Sequence, residues 1–204
     1  MSQIILDMGS GNTCKNSVDY ACKMIDAVAA IDAHKHEVIF KFQLFKDEPP
    51  NKPLDHLVFA NAYKHAKELG YKTTSSVFDK ASLDFLLQFE VPFVKIACRP
   101  RIYWLLGEIP RKIPVYLSWD GKDAAPGGDY VRMFCVPNYP AQISDYGDWV
   151  KGPAISDHTE GLKLFKKWAP PIWEKHFILE DDPTNPDCAG HAIKPDLLKE
   201  VIGA

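Results

Sequence analysis

No stretch of this sequence reaches the roughly 18 consecutive apolar residues that a membrane-crossing helix needs. The opening segment from Met1 to Gly11 has no basic residues ahead of its short apolar run, so it does not read as a secretory signal. The expectation is a cytoplasmic protein with no membrane partner. Positive charge is not in excess: 24 Lys+Arg stand against 27 Asp+Glu, a formal net charge of -3, and no segment concentrates the basic residues. That excludes the electrostatic footprint of a nucleic-acid binder. Cysteines are few and odd in number. Cys14, Cys22, Cys98, Cys135 and Cys188 form no C-x-x-C pair, so they read as reduced thiols rather than as a disulfide or zinc framework. The glycine-rich turn Met8-Gly9-Ser10-Gly11-Asn12 lacks both the dinucleotide fingerprint and the phosphate-loop lysine. It reads as a loop that lets backbone approach a ligand.

What is present is an ordinary globular composition, with 46% hydrophobic and 25% charged residues over 204 positions. That length buries a sizeable core without staples, and residues 1–204 are expected to form a single domain. Sixteen prolines gather at 49–53, at 137–140 and between 170 and 195, where they predict rigid loops. Short β-branched runs alternate with helical periodicity along the chain. Ile4 to Leu6, Val38 to Phe40, Thr73 to Val77, Pro92 to Ala97, Ile113 to Trp119, Tyr130 to Val136, Ala154-Ile155 and Ile172 to Phe177 read as strands. Helical patterns follow over Ser17 to Ala33, Leu54 to Leu69, Lys80 to Phe89, Glu160 to Trp168 and Pro195 to Ile202. Eight such units predict an α/β fold, a minimal (β/α)8 TIM barrel, with shortened outer helices after strands five and six. An open doubly wound sheet is the competing arrangement.

A barrel of this kind carries its chemistry at the C-terminal strand ends. Asp7, Lys41, Gln43, Ser76, Lys95, Ser118, Tyr139, Ser156, His158 and His176 all fall at or near such ends. Two imidazoles on neighbouring strand ends, His158 and His176, suit one divalent metal as well as they suit plain hydrogen bonding; either alone reads more often as an ordinary hydrogen-bonded residue. Lys41 and Lys95 interrupt apolar strands, where a buried ammonium needs a partner. Either they snorkel to the rim, or they point into the barrel mouth and hold an anion beside Ser76 and Ser156.

Six ordered segments resemble the sialic acid (N-acetylneuraminate) synthases and their pseudaminic and legionaminic acid relatives. Ile155-Ser156-Asp157-His158-Thr159 resembles the SDHT motif, and Glu174-Lys175-His176-Phe177 the EKHF motif. Asn185-Pro186-Asp187 with the Lys194 to Leu198 segment is similar to the GPD turn and closing helix. Cys135 to Pro140 resembles the C-x-x-x-Y-P segment. Phe40-Lys41-Phe42-Gln43 resembles VKFQ, and Val94-Lys95-Ile96-Ala97 resembles KIAS. The resemblance implies a cytoplasmic transferase of carbohydrate biosynthesis, which condenses phosphoenolpyruvate with a sugar aldehyde and releases phosphate. It implies His158 and His176 as ligands of manganese, with magnesium or cobalt as alternatives. It places Lys41, Lys95, Ser76, Ser118 and Ser156 around phosphoenolpyruvate, and Gln43, Tyr139 and Asp187 toward the sugar. Asp7 and the two lysines join the histidines as catalytic residues.

Departures from the family pattern gather at the sugar end. Asp7 stands where the family has glutamate, Cys98 where it has serine, and Pro100 where it has a proton-handling glutamate. The antifreeze-like C-terminal domain has no counterpart in these residues, so the expectation is a compact form. A homodimer stays open, and the acceptor is expected to be N-acetylmannosamine-like or smaller. Two other readings remain: a metal aldolase or lyase that uses pyruvate, and a degenerate barrel that binds without catalysis.

Overall fold

The computed structural model describes residues 2–46, 49–122 and 126–203. Eight strands form one closed, all-parallel barrel in chain order. They are β1 (Gln3–Asp7), β2 (Glu37–Leu44), β3 (Lys72–Val77), β4 (Val94–Ile96), β5 (Val115–Trp119), β6 (Val131–Cys135), β7 (Ala154–Asp157) and β8 (Ile172–His176). The barrel closes where β1 pairs with β8, with Asp7 opposite His176 on one side and Lys41 on the other. This arrangement is the (β/α)8 TIM barrel, and the open sheet is excluded.

Strand side chains alternate between the barrel axis and the helices. The outward set packs under the helices as one large core that includes Leu6, Phe40, Ile96, Leu117 and Trp173. The inward set begins with an apolar plug of Ile5, Ile39, Phe93, Tyr116, Met133 and Ala154. Within it the Phe93 and Tyr116 rings stack at 3.9 Å. Two residues further along each strand the inward positions become polar, so the plug is the floor of a polar chamber.

Helices α1 (Val18–Ala29), α2 (His56–Glu68) and α3 (Lys80–Leu86) each start at a capping side chain. Ser17, Asp55 and Asp79 accept hydrogen bonds from the backbone N–H groups of Tyr20, Leu57 and Ser82, which satisfies donors the helix leaves unpaired. The outer ring is thin elsewhere. A 3-10 segment (Pro100–Gly107) follows β4, another (Ile143–Lys151) follows β6, and no helix lies between β5 and β6 among the described residues. Helix α4 (Lys163–Trp168) starts three residues later than the periodicity predicts, because Gly161 takes φ +58°, outside the right-handed helical region. Helix α5 (Pro195–Ile202) begins on Pro195, where the ring presets the first helical φ.

Candidate active site

The inward polar positions converge on one pocket of about 470 Å³ at the C-terminal mouth of the barrel. Asp7, Lys41, Gln43, Ser76, Lys95, Ser118, Tyr139, Ser156, His158, His176 and Asp187 all line it. These eleven site residues are therefore brought together.

The lysines do not snorkel. Lys41 and Lys95 are each 2% exposed and sit inside the chamber. Lys41 Nζ donates to Asp7 Oδ2 at 2.5 Å and to Ser76 Oγ at 3.1 Å. Lys95 Nζ donates to Ser118 Oγ at 2.7 Å and to Glu174 Oε1 at 3.2 Å. Glu174 lies between the two ammonium groups, with Oε2 3.8 Å from Lys41 Nζ, and Ser156 Oγ donates to its Oε1 at 2.8 Å. Burial alone would raise the Glu174 pKa. Lys41, Lys95 and the Ser156 hydroxyl more than reverse that and hold it at about 2. For Lys41 burial would lower the pKa, but Asp7 and Glu174 reverse it, so the ammonium stays charged. Asp7 is anchored in turn by the Gly9 N–H at 3.0 Å and by Gln43 Nε2 at 2.9 Å.

His158 is held from three sides. Its Nδ1 lies 2.6 Å from the Val136 carbonyl oxygen, so Nδ1 carries the proton and donates. Tyr146, fully buried, donates to the Ser156 carbonyl at 3.0 Å and accepts from the His158 N–H at 2.8 Å. Burial and the neighbouring His176 hold the ring well below the ordinary histidine pKa. His158 Nε2 therefore offers a lone pair, 3.3 Å from Ser156 Oγ. The His158 and His176 ring centroids are 5.7 Å apart. His176 sits between carboxylates, with Nδ1 2.8 Å from Asp187 Oδ1 and Nε2 3.7 Å from Asp7 Oδ2. Burial would lower its pKa, but Asp7 and Asp187 reverse that and raise it.

Half of each motif serves the fold instead. Asp157 and Lys175 are fully buried on the outer side of the sheet. Lys175 Nζ donates to the Thr159 carbonyl at 2.5 Å and pairs with Asp157 at 3.4 Å. Asp157 Oδ2 also accepts from the Trp173 indole at 2.9 Å. Strand alternation thus divides Ser156-Asp157-His158 and Glu174-Lys175-His176 into pocket residues and structural ones.

Four further residues line the pocket: Arg99 and His191, to which the sequence assigns nothing, Glu174 of the EKHF motif, and Cys98 at the altered β4 end. Glu174 was legible, since an acid at an inward position of β8 must meet the buried lysines. His191 carried no strand or helix signal. Cys98 has its thiol pushed down to about 7, first by a hydrogen bond with Cys135.

The glycine-rich turn after β1 serves a different neighbour from the ligand expected. Gly9 takes φ +72°, and a Cβ there would lie 2.1 Å from Thr13 Oγ1 and 2.6 Å from Asp187 Oδ2. The close approach is therefore to Thr13 and Asp187, not to bare pocket space. Gly9→Ala combines a strained φ with an overpacked contact, and is expected to cost about 2–4 kcal/mol of unfolding free energy. Urea denaturation checks this; a loss below about 1 kcal/mol would contradict it.

Residues covering 98% of this chain superpose on 81% of the N-acetylneuraminic acid (sialic acid) synthetase from Leptospira borgpetersenii serovar Hardjo-bovis, with TM-score 0.79 and 20% identity. The chain has that barrel fold. The spore coat polysaccharide biosynthesis protein spsE from Bacillus subtilis matches over 98% of this chain and 66% of its own, with TM-score 0.75 and 21% identity. A truncated 3-deoxy-D-arabino-heptulosonate 7-phosphate synthase from Thermotoga maritima matches over 99% and 84%, with TM-score 0.67 and 11% identity. No family model and no curated protein matches the sequence. At the end of β4 Cys98 and Arg99 line the pocket, whereas Pro100, which opens the following 3-10 segment, is exposed and does not.

Proposed function

We propose that this chain is a phosphoenolpyruvate-condensing synthase of the sialic acid synthase type. A new bond forms between C3 of phosphoenolpyruvate and the aldehyde carbon of a sugar. Water adds at C2, the C2–O bond to phosphate breaks, and a 2-keto acid and inorganic phosphate are released. The observation that carries this reading is one chamber lined by two buried lysines, three serine hydroxyls and three imidazoles.

Lys41 and Lys95 would neutralise the phosphate and carboxylate of the bound anion, with Ser76, Ser118 and Ser156 as hydrogen-bond partners. Asp7 and Glu174 fix where the two ammonium groups point. Gln43 and Tyr139 would face the sugar. The donor set fits a divalent ion: His158 Nδ1 carries its proton toward Val136, which leaves Nε2 with a lone pair, and His176 Nδ1 is buried beside the Asp187 carboxylate. His158 and His176 would hold such an ion, for which manganese is the expected choice. When bound, it supplies Lewis acidity toward the aldehyde oxygen. The protein chain's own contribution is to orient both reactants and keep the anion's charge balanced.

The altered β4 end, with Cys98 and Arg99 in the pocket, supports an acceptor other than N-acetylmannosamine. A phosphate-release assay with manganese and a panel of aldoses tests the proposal. The expected result is one phosphate per 2-keto acid, only with an aldehyde present, and with a smaller or differently substituted sugar preferred. Preference for N-acetylmannosamine over every other sugar would overturn the acceptor assignment. Turnover of pyruvate with no phosphate release would overturn the synthase itself.

A further inference from the structure

The loop after β8 brings two more donors against His176. Asp187 Oδ1 lies 2.8 Å from His176 Nδ1 and 3.6 Å from His191 Nε2. Donor atoms of His176, Asp187 and His191 all fall within 4.8 Å of one another. Two ligands with bonds of roughly 2.1 Å to one ion stand about 3.0 Å apart at a right angle, and about 3.4 Å apart at the tetrahedral angle. The observed spacings bracket those values.

The His191 contact is poor as a hydrogen bond. The 3.6 Å separation is beyond hydrogen-bond range. His191 Nδ1 is buried with no hydrogen-bond partner, in a residue 2% exposed, and His176 Nδ1, in a residue 7% exposed, pairs with Asp187 Oδ1 at 2.8 Å without hydrogen-bond alignment. A buried imidazole nitrogen left in this state is costly in a purely structural role.

The cluster is also built from outside. Asp187 Oδ2 accepts a short hydrogen bond from Thr13 Oγ1, which leaves Oδ1 facing the two rings. Asn185 Oδ1 accepts from Thr13 Oγ1 at 3.1 Å and from the Asp187 N–H at 3.1 Å. Gly9, lacking a Cβ, leaves the room this carboxylate occupies. Two residues past His191, the Ile193 N–H donates to the His176 carbonyl at 2.9 Å and fixes the loop on the end of β8. Outer partners of this kind orient metal ligands. Tyr139 covers the group, its ring 4.9 Å from His191 and 4.2 Å from His158.

We propose that Asp187 and His191 are direct donors, with His176, to the divalent ion of this pocket. The inference rests on the reading that the pocket takes such an ion, and it reassigns Asp187 from sugar contact to metal donor. A set of imidazoles with one carboxylate takes divalent first-row transition ions, binding cobalt or zinc more tightly than manganese, and disfavours magnesium, which suits all-oxygen sites.

Chelator-treated full-length protein, titrated with manganese and followed by the paramagnetic signal of the free aquo ion, tests this directly. His191→Ala and Asp187→Asn are each expected to weaken manganese binding at least tenfold with Tm little changed, and a hundredfold excess of magnesium should not displace manganese from the wild type. Should alanine at 191 cost the fold, His191→Gln keeps the side-chain bulk and is expected to show the same loss. Wild-type affinity in both position-191 variants, alongside a loss in His158→Ala, would overturn the inference and leave the two-histidine reading standing. A wild-type protein that takes up no divalent ion would overturn both.

Discussion

Lys41→Met is expected to reduce phosphate release by about 100- to 1000-fold and to lower the unfolding free energy by about 3–5 kcal/mol. The two losses share one cause. Lys41 is 2% exposed and contacts Asp7, Ser76 and Glu174 in the floor of the site. Removing its ammonium leaves Asp7 facing only neutral donors and a histidine, and leaves Glu174 with a single lysine. It also removes one of two positive charges that would meet the substrate phosphate. The pH dependence separates this from general damage. The Lys41 pKa is raised in the folded protein, so its contribution is intact below 10.5 and is lost only as pH rises through the folded value. Glu174 is lowered from 4.5 to about 2, so its contribution is present above 4.5 and is lost as pH falls toward 2. The wild type should therefore hold a stability plateau through neutral pH and fall away between 4.5 and 2. In Lys41→Met that acid limb should move to higher pH, because one of the charges that lowers Glu174 is gone. Urea unfolding across pH measures both. An unmoved acid limb with full activity would show that Lys41 is not part of the anion site.

Removing the divalent ion is expected to weaken phosphoenolpyruvate binding by about 100-fold, before any chemistry is measured. The reason is the charge count in the pocket. Lys41, Lys95 and Arg99 line it, and so do Asp7, Glu174 and Asp187. These cancel, so the chamber offers little net attraction to a phosphorylated carboxylate. His176, with its raised pKa, carries some positive charge when the ion is gone. Loading a divalent ion in its place adds about one net charge. At roughly 6 Å and an effective dielectric constant of about 20, that is about 3 kcal/mol of attraction, or about 100-fold. Calorimetric titration of phosphoenolpyruvate into chelator-treated and manganese-loaded protein checks the ratio. Equal affinities would mean that the anion and the ion do not share this pocket.

Much of the site was legible because the strand period is two. Once Lys41 and Lys95 are placed on apolar strands of a closed barrel, alternation sends them to the axis beside Ser76 and Ser118. The same rule explains why Asp157 and Lys175 pair behind the sheet although their neighbours face the pocket. What escaped the sequence lies in loops. His191 follows Asp187 by four positions in a segment with no regular period, and the bridge between Phe177 and Ile193 folds it back over His176. Gly9 looked like a ligand-facing glycine because a close approach was evident, but the partner it approaches, Asp187, is 178 positions away in the chain, and local spacing cannot name it. Helix α4 was placed too early because Gly161 sits inside an otherwise helical pattern, and its positive φ was not readable from its neighbours.

A crystal of the protein grown with manganese and phosphoenolpyruvate, with anomalous scattering collected at the manganese edge, puts both ligands to the proof at once. The expected map shows one anomalous peak bonded to His176 and the phosphoenolpyruvate anion contacting Lys41 and Lys95 in the same chamber. A peak outside the barrel mouth, or an anion bound away from both lysines, would contradict the account.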